Sequence, residues 1–220
     1  MTQPPERSSF DLLPEIAREI TQVAHFGSAP AVKKLLVDAG AALEAGNHEA
    51  AIEALVAAKV KAPRSVHVRE MLGLAYYHLG RWREAARELA AFRRMSDRRD
   101  RDPEYADCER ALGKPEKAVD VLADIGAQDV SEEVVVEGLV VAGGALGDLG
   151  RWEDAVRVLE GGPMRPERPE AHHLRLFYAL ADAYERVGRR ADARGLWDAI
   201  YAEDPGFFDV SRRRLGIRPD

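Results

Sequence analysis

"LGRWREAA" (residues 79–86) returns as "LGRWEDAV" (149–156), and weaker echoes stand at 45–52 ("AGNHEAAI"), 112–119 ("LGKPEKAV") and 187–194 ("VGRRADAR"). In register, the five octets align Gly46, Gly80, Gly113, Gly150 and Gly188, at intervals of 34, 33, 37 and 38. Five residues after each glycine stands Ala51, Ala85, Ala118, Ala155 or Ala193. Four further on stands Leu55, Leu89, Leu122, Leu159 or Trp197. Glycine adopts the left-handed conformation that closes a helix without steric cost. An alanine one turn into the next helix lets two backbones approach, and the large residue four positions later shares its face. The repeated unit is therefore helix, tight turn, helix.

The residues before the glycine agree. Leu72, Gly73 and Tyr76 precede Gly80 by eight, seven and four positions, and Leu180, Ala181 and Tyr184 precede Gly188 by the same offsets. This is a large–small–large stripe on one helical face. Pro63 and Pro205 fall where a unit should stop, because proline cannot continue a helix.

On these residues the chain resembles the tetratricopeptide repeat, whose period is about 34 and whose pattern runs L-G-x2-Y, glycine, A-x3-large, proline. The unit Val66–Arg99 matches best and Leu174–Phe207 next. Val32–Ser65 keeps its second helix but has Asp38 and Ala42 in place of leucine and tyrosine. The units around Gly113 and Gly150 are degenerate in their first helices. The resemblance implies an all-α fold, a right-handed solenoid of helical hairpins wound as a superhelix, with five repeats over 32–207. A flexible N-terminus (1–10), a capping helix (11–31) carrying Ile16, Ile20 and Val23 on one face, and a closing helix and tail (208–220) flank the array. Terminal caps keep the outer faces of such an array soluble. Arg212, Arg213 and Arg214 suit the C-terminal end of the closing helix dipole.

Between the units, the Arg/Asp run 98–102 is expected to be a solvated loop, with Pro103 at the first position of a helix. Asp129 with Glu132 resembles a capping box. The β-branched stretch "VVVEGLVVAGG" (134–144) is expected to be helical because the array phase requires it, with Gly143 and Gly144 at a close helix contact. The segment 160–173 is a proline-broken loop.

Composition narrows the function. Apolar residues are 46% and charged residues 32% of 220, enough for a core and against wholesale disorder. The net charge of −6 argues against nucleic acid as partner. No basic n-region and apolar h-region open the chain, and 134–150 is too short and too interrupted to span a bilayer, so a cytoplasmic, non-membrane protein is expected. Abundant alanine, arginine and glycine point to a bacterial source. Cys108 is alone, so no internal disulfide or cysteine-rich zinc site can form.

Phosphate-binding glycine loops, zinc-protease and nucleophile-elbow motifs are missing. His172 and His173 point about 100° apart on a helix with no carboxylate at i+4. His67 and His78 would lie ~16 Å apart, too far to share a metal. The pair Asp182/Glu185 reads as helix solvation. No catalytic residue, cofactor or metal is therefore expected, and no enzyme.

The resemblance places partner-facing positions on the first helices, lining a concave groove: His67, Glu70, Leu74, Tyr77 and His78; Asp107 and Arg110; and Arg175, Tyr178, Asp182, Glu185 and Arg186. The related positions Asp100, Pro103, Ala111, Glu137, Val140, Gly144, Gly147 and Asp148 complete the set. It leans acidic, with Tyr77 and Tyr178 as aromatic anchors, which suits a basic or amphipathic peptide or helix. Leu36, Gly40, Glu70 and Leu74 occupy the positions of the lysine/asparagine clamp that a subfamily uses for chaperone-tail carboxylates, so that mode is excluded. The expected function is a protein-interaction scaffold. The alternatives are self-assembly as a homo-oligomer through Trp82, Trp152 and the end helices, or a regulator linked to a nucleic-acid process.

Overall fold

The computed structural model describes residues 12–216. The expected flexible stretch 1–10, the first residue of the N-terminal cap and the tail beyond 216 lie outside them. The chain divides into two compact units, Met1–Arg98 and Arg99–Asp220. Among the described residues every regular element is helical, and no helix is long and apolar enough to cross a membrane.

The first unit holds α1 (Pro14–Val23) and two hairpins, α2 (Ala29–Glu44) with α3 (His48–Lys61) and α4 (Val66–His78) with α5 (Trp82–Ser96). The second holds three hairpins: α6 (Asp102–Ala111) with α7 (Pro115–Leu122), α8 (Glu132–Asp148) with α9 (Trp152–Leu159), and α10 (Ala171–Arg186) with α11 (Arg190–Glu203). The short α12 (Val210–Arg213) follows. Within each unit every helix packs on the next in sequence, and in the second unit α6, α8 and α10 also pack successively.

The octet of the repeat explains each hairpin. The turn glycines have φ between +66° and +83°. At each, the following N–H reaches back five residues to a carbonyl: Asn47 to Ala42, Arg81 to Tyr76, Lys114 to Glu109, Arg151 to Leu146 and Arg189 to Tyr184, at 2.8–3.0 Å. This bond belongs to the glycine-closed helix end and satisfies a carbonyl that the helix leaves open. All five octet alanines are fully buried, and the large residues that follow are at most 3% exposed. The stripe before the glycine meets them. A Cβ on Gly73 would lie 2.7 Å from Leu89, and one on Gly143 would lie 2.8 Å from Leu159, so glycine there sets the hairpin spacing.

At the N-terminal end the helix α1 covers only Pro14–Val23 of the stretch 11–31, and α2 already begins at Ala29; α1 packs on α2 with Ile20 fully buried. Glu19 on α1 accepts hydrogen bonds from the Ser65 hydroxyl (3.0 Å) and the Val66 N–H (2.8 Å), placing a carboxylate at the start of α4. In the same unit, Glu88 is fully buried. It accepts from Lys59 at 2.9 Å, from Arg69 at 2.5 Å and from Arg87 at 3.1 Å, linking α3, α4 and α5. Burial pushes its pKa upward, but the bonds from Lys59 and Arg69 outweigh that and hold it below the ordinary value of 4.5.

Three local expectations are corrected. The stretch 134–144 is helical, but Ser131 and not Asp129 caps it, accepting from the Val134 N–H at 3.4 Å. The Arg/Asp run is not simply solvated. Arg98 donates to Glu70 at 3.1 Å and covers the Phe92 ring, and Asp102 is buried as the first residue of α6. The closing helix is a single turn, α12, with Arg212 and Arg213 in it and Arg214 just past its end.

Candidate partner-binding faces

On α4, the five candidate positions form one stripe at i, i+3, i+4 spacing but have unlike surroundings. Glu70 is buried and ion-paired to Arg98. The His67 imidazole is half-buried, 3.6 Å from Glu19. Leu74 and Tyr77 are half-buried and His78 is exposed. The Tyr77 ring stands edge-on to Trp82 at 5.5 Å and to His78 at 5.8 Å, while His78 stacks on His48 at 5.1 Å. Partial burial of the ring and, secondarily, the neighbouring His48 hold the His78 imidazole below its ordinary pKa. The α4 stripe is therefore an aromatic and aliphatic strip, with its carboxylate turned inward.

The second unit treats its candidates differently. Its first helices are joined by a ladder of ion pairs. Arg110 on α6 donates to Asp148 on α8 at 2.5 Å and also approaches Asp107 at 3.7 Å. Arg175 on α10 donates to Glu137 on α8 at 2.6 Å. Asp182 on α10 accepts from Arg213 of α12 at 2.5 Å. Glu185 accepts from Arg213 at 3.3 Å and from the Trp197 indole N–H at 2.9 Å. The Tyr178 hydroxyl donates to Asp209 at 2.6 Å. Burial, then this bond, pushes its pKa up to about 12. The exposed Arg186 lies over the Trp152 ring. Read residue by residue, the face looked acidic. Pairing across helices offsets these charges, and the last stretch of the chain engages Tyr178, Asp182 and Glu185.

Two further expectations concern chemistry. A carboxylate does join the histidine pair: it comes from Glu132 on α8, and the ligand atoms of Glu132, His172 and His173 lie within 4.8 Å of one another. Sequence spacing missed it because the partner is 40 residues upstream. Hydrogen bonding defines what this group can do. His173 Nδ1 accepts the Glu170 N–H at 3.0 Å, which puts the proton of the neutral ring on Nε2, directed at Glu132 at 3.1 Å. His173 then has no lone pair to give a metal at that position. Cys108 is buried. That burial, then Asp107 and Glu109, pushes its thiol up to about 12, so it carries no thiolate at neutral pH. The two octet tryptophans behave as joint covers: Trp152 packs onto Gly147 and Trp82 onto Gly80 and Tyr77.

Comparison with known proteins gives the same architecture. Residues 39–103 match the family model described as tetratricopeptide repeat. The apo quorum sensor NprR from B. thuringiensis superposes with TM-score 0.69 at 13% identity, over 91% of this chain and 61% of that one. A putative kinesin light chain with TPR-like repeats from Podosopora anserina gives 0.64 at 20% identity, over 87% and 100%. YrrB, a TPR protein with an unusual peptide-binding site, gives 0.61 at 17% identity, over 90% and 99%. No curated protein matches. At these identities the likeness is one of fold.

Proposed function

We propose that this chain, a tetratricopeptide-repeat protein, is a non-enzymatic adaptor that holds a segment of a partner protein on the α4 face of its first unit. One observation carries the reading: Leu74, Tyr77 and His78 form a partly exposed aliphatic–aromatic strip beside Trp82, while the candidate charges elsewhere are engaged within the chain. Aromatic residues flanked by polar ones are the usual anchors of interfaces. YrrB, which is similar in fold, has a peptide-binding site, and this supports a peptide-like occupant here. An amphipathic segment suits the strip better than a purely basic one, because Glu70 already faces Arg98. The cytoplasm is the proposed setting.

Leu74→Arg tests the assignment by placing a charge in the middle of the strip. Captured from native extract, the wild-type chain should retain a protein that Leu74→Arg loses, with circular dichroism unchanged. Equal recovery by both would remove the partner from this face. Recovery of the chain alone would instead support self-association through the end segments, where Phe26 and Phe208 are exposed.

A further inference from the structure

The second unit holds a cavity of about 860 Å³ between the first turns of α11 and the α12 segment. Among the described residues it is lined by Arg190, Arg194, Arg213 and Arg214, with Glu185 and Trp197. Asp182 and Glu185 pair with Arg213 and Asp198 with Arg214, so in this chain of net charge −6 the local excess of positive charge is that of Arg190 and Arg194.

Several features of these arginines run against helix economy. Arg190 is the first residue of α11, and a cation there opposes the positive end of the helix dipole. Arg194 stands one turn later on the same face, so two like charges meet at i, i+4. Neighbouring arginines are each relieved: Arg189 by Asp192 and Glu160, Arg214 by Asp198. Among the described residues, Arg190 and Arg194 have no ion pair at all, and both are exposed. Beside them Arg213 is only 7% exposed, held by Asp182, Glu185 and the Trp197 ring, and its buried Nε–H has no hydrogen-bond partner. Two exposed guanidiniums without an ion pair, one turn apart beside a concave volume, suit an oxyanion, since guanidinium forks match phosphate and carboxylate oxygens. The volume is that of a small-molecule site.

We infer that this cavity binds a compact multivalent oxyanion of the phosphate class, with Arg190 and Arg194 as its principal contacts and Arg213 in its wall. The site lies on the second helix and cap of the last repeat, and it stands whether or not α4 binds a protein.

Calorimetric titration of the full chain with pyrophosphate tests this, with citrate as the carboxylate counterpart of similar charge. The two paired variants are Arg190→Gln/Arg194→Gln and a control with the same charge loss in the 160–170 loop, Arg165→Gln/Arg168→Gln. All four residues are exposed and outside the ion-pair ladder, so folding is preserved. Saturable pyrophosphate binding is expected, weakened at least about tenfold by Arg190→Gln/Arg194→Gln and within about twofold of wild type in the loop control. Tighter binding of pyrophosphate than citrate supports the phosphate assignment. Citrate binding as tightly or better overturns it. Equal loss in both double variants would show diffuse surface charge, and failure of pyrophosphate to saturate would show no site; either overturns the inference.

Discussion

Glu88→Ala should cost the first unit about 3 kcal/mol, at the low end of the range for breaking a buried ion pair by removing one partner. The carboxylate is fully buried where α3, α4 and α5 meet, and the substitution leaves Lys59 and Arg69 facing an apolar void. Both cations keep about a fifth of their side-chain surface in contact with solvent, and partial rehydration keeps the cost from the upper end. The same carboxylate gives the unit an acid limit. Its native pKa lies below 4.5, so its contribution is complete above the unfolded-state value and is lost as pH falls through the depressed native one. Hydrogen exchange of α3–α5 amides, with urea unfolding at pH 7 and at about pH 3, measures both effects. A wild-type-like denaturation midpoint for Glu88→Ala at pH 7 would refute the assignment.

Trp197→Ala should cost the second unit about 4 kcal/mol, within the range for emptying a large aromatic site. The side chain is 1% exposed and packs edge-on against Tyr178 at 5.0 Å. It also supports Arg213, whose guanidinium lies 4.7 Å from its ring centroid, and donates to Glu185. Truncation therefore opens a void and loosens α12, raising exchange at residues 210–213 beyond the general loss of stability. Trp197→Phe keeps most of the volume but drops the indole donor, and should cost roughly 1 kcal/mol. If urea unfolding showed the two substitutions to be equal, packing would not be the dominant contribution.

Much of this fold was legible because the repeat states each local rule five times. The glycine fixes the left-handed helix end, the alanine the close approach, and the leucine or Trp197 the core. Gly73 against Leu89 and Gly143 against Leu159 are the same contact read at two positions. What remained hidden depends on the register between non-adjacent helices. The Asp148 carboxylate reads as a solvated groove charge until stacking places Arg110 beside it. Glu132 is absent from any spacing rule centred on His172 and His173, yet it completes their cluster. The apparent acidity of the groove followed from counting charges on single helices, without their partners on neighbouring ones. Arg213 looked like a dipole-completing surface residue. In the fold it is buried and joins Asp182, Glu185 and Trp197.

The most direct test of the adaptor reading is site-specific photo-crosslinking in native cells. A photo-crosslinking amino acid is placed at position 74 on the α4 strip, or at position 60, where Val60 is an exposed apolar residue of α3. A discrete heterologous adduct from position 74, absent from position 60, is the predicted result. An adduct from position 60 alone, or from neither position, would contradict the assignment of the partner to this face.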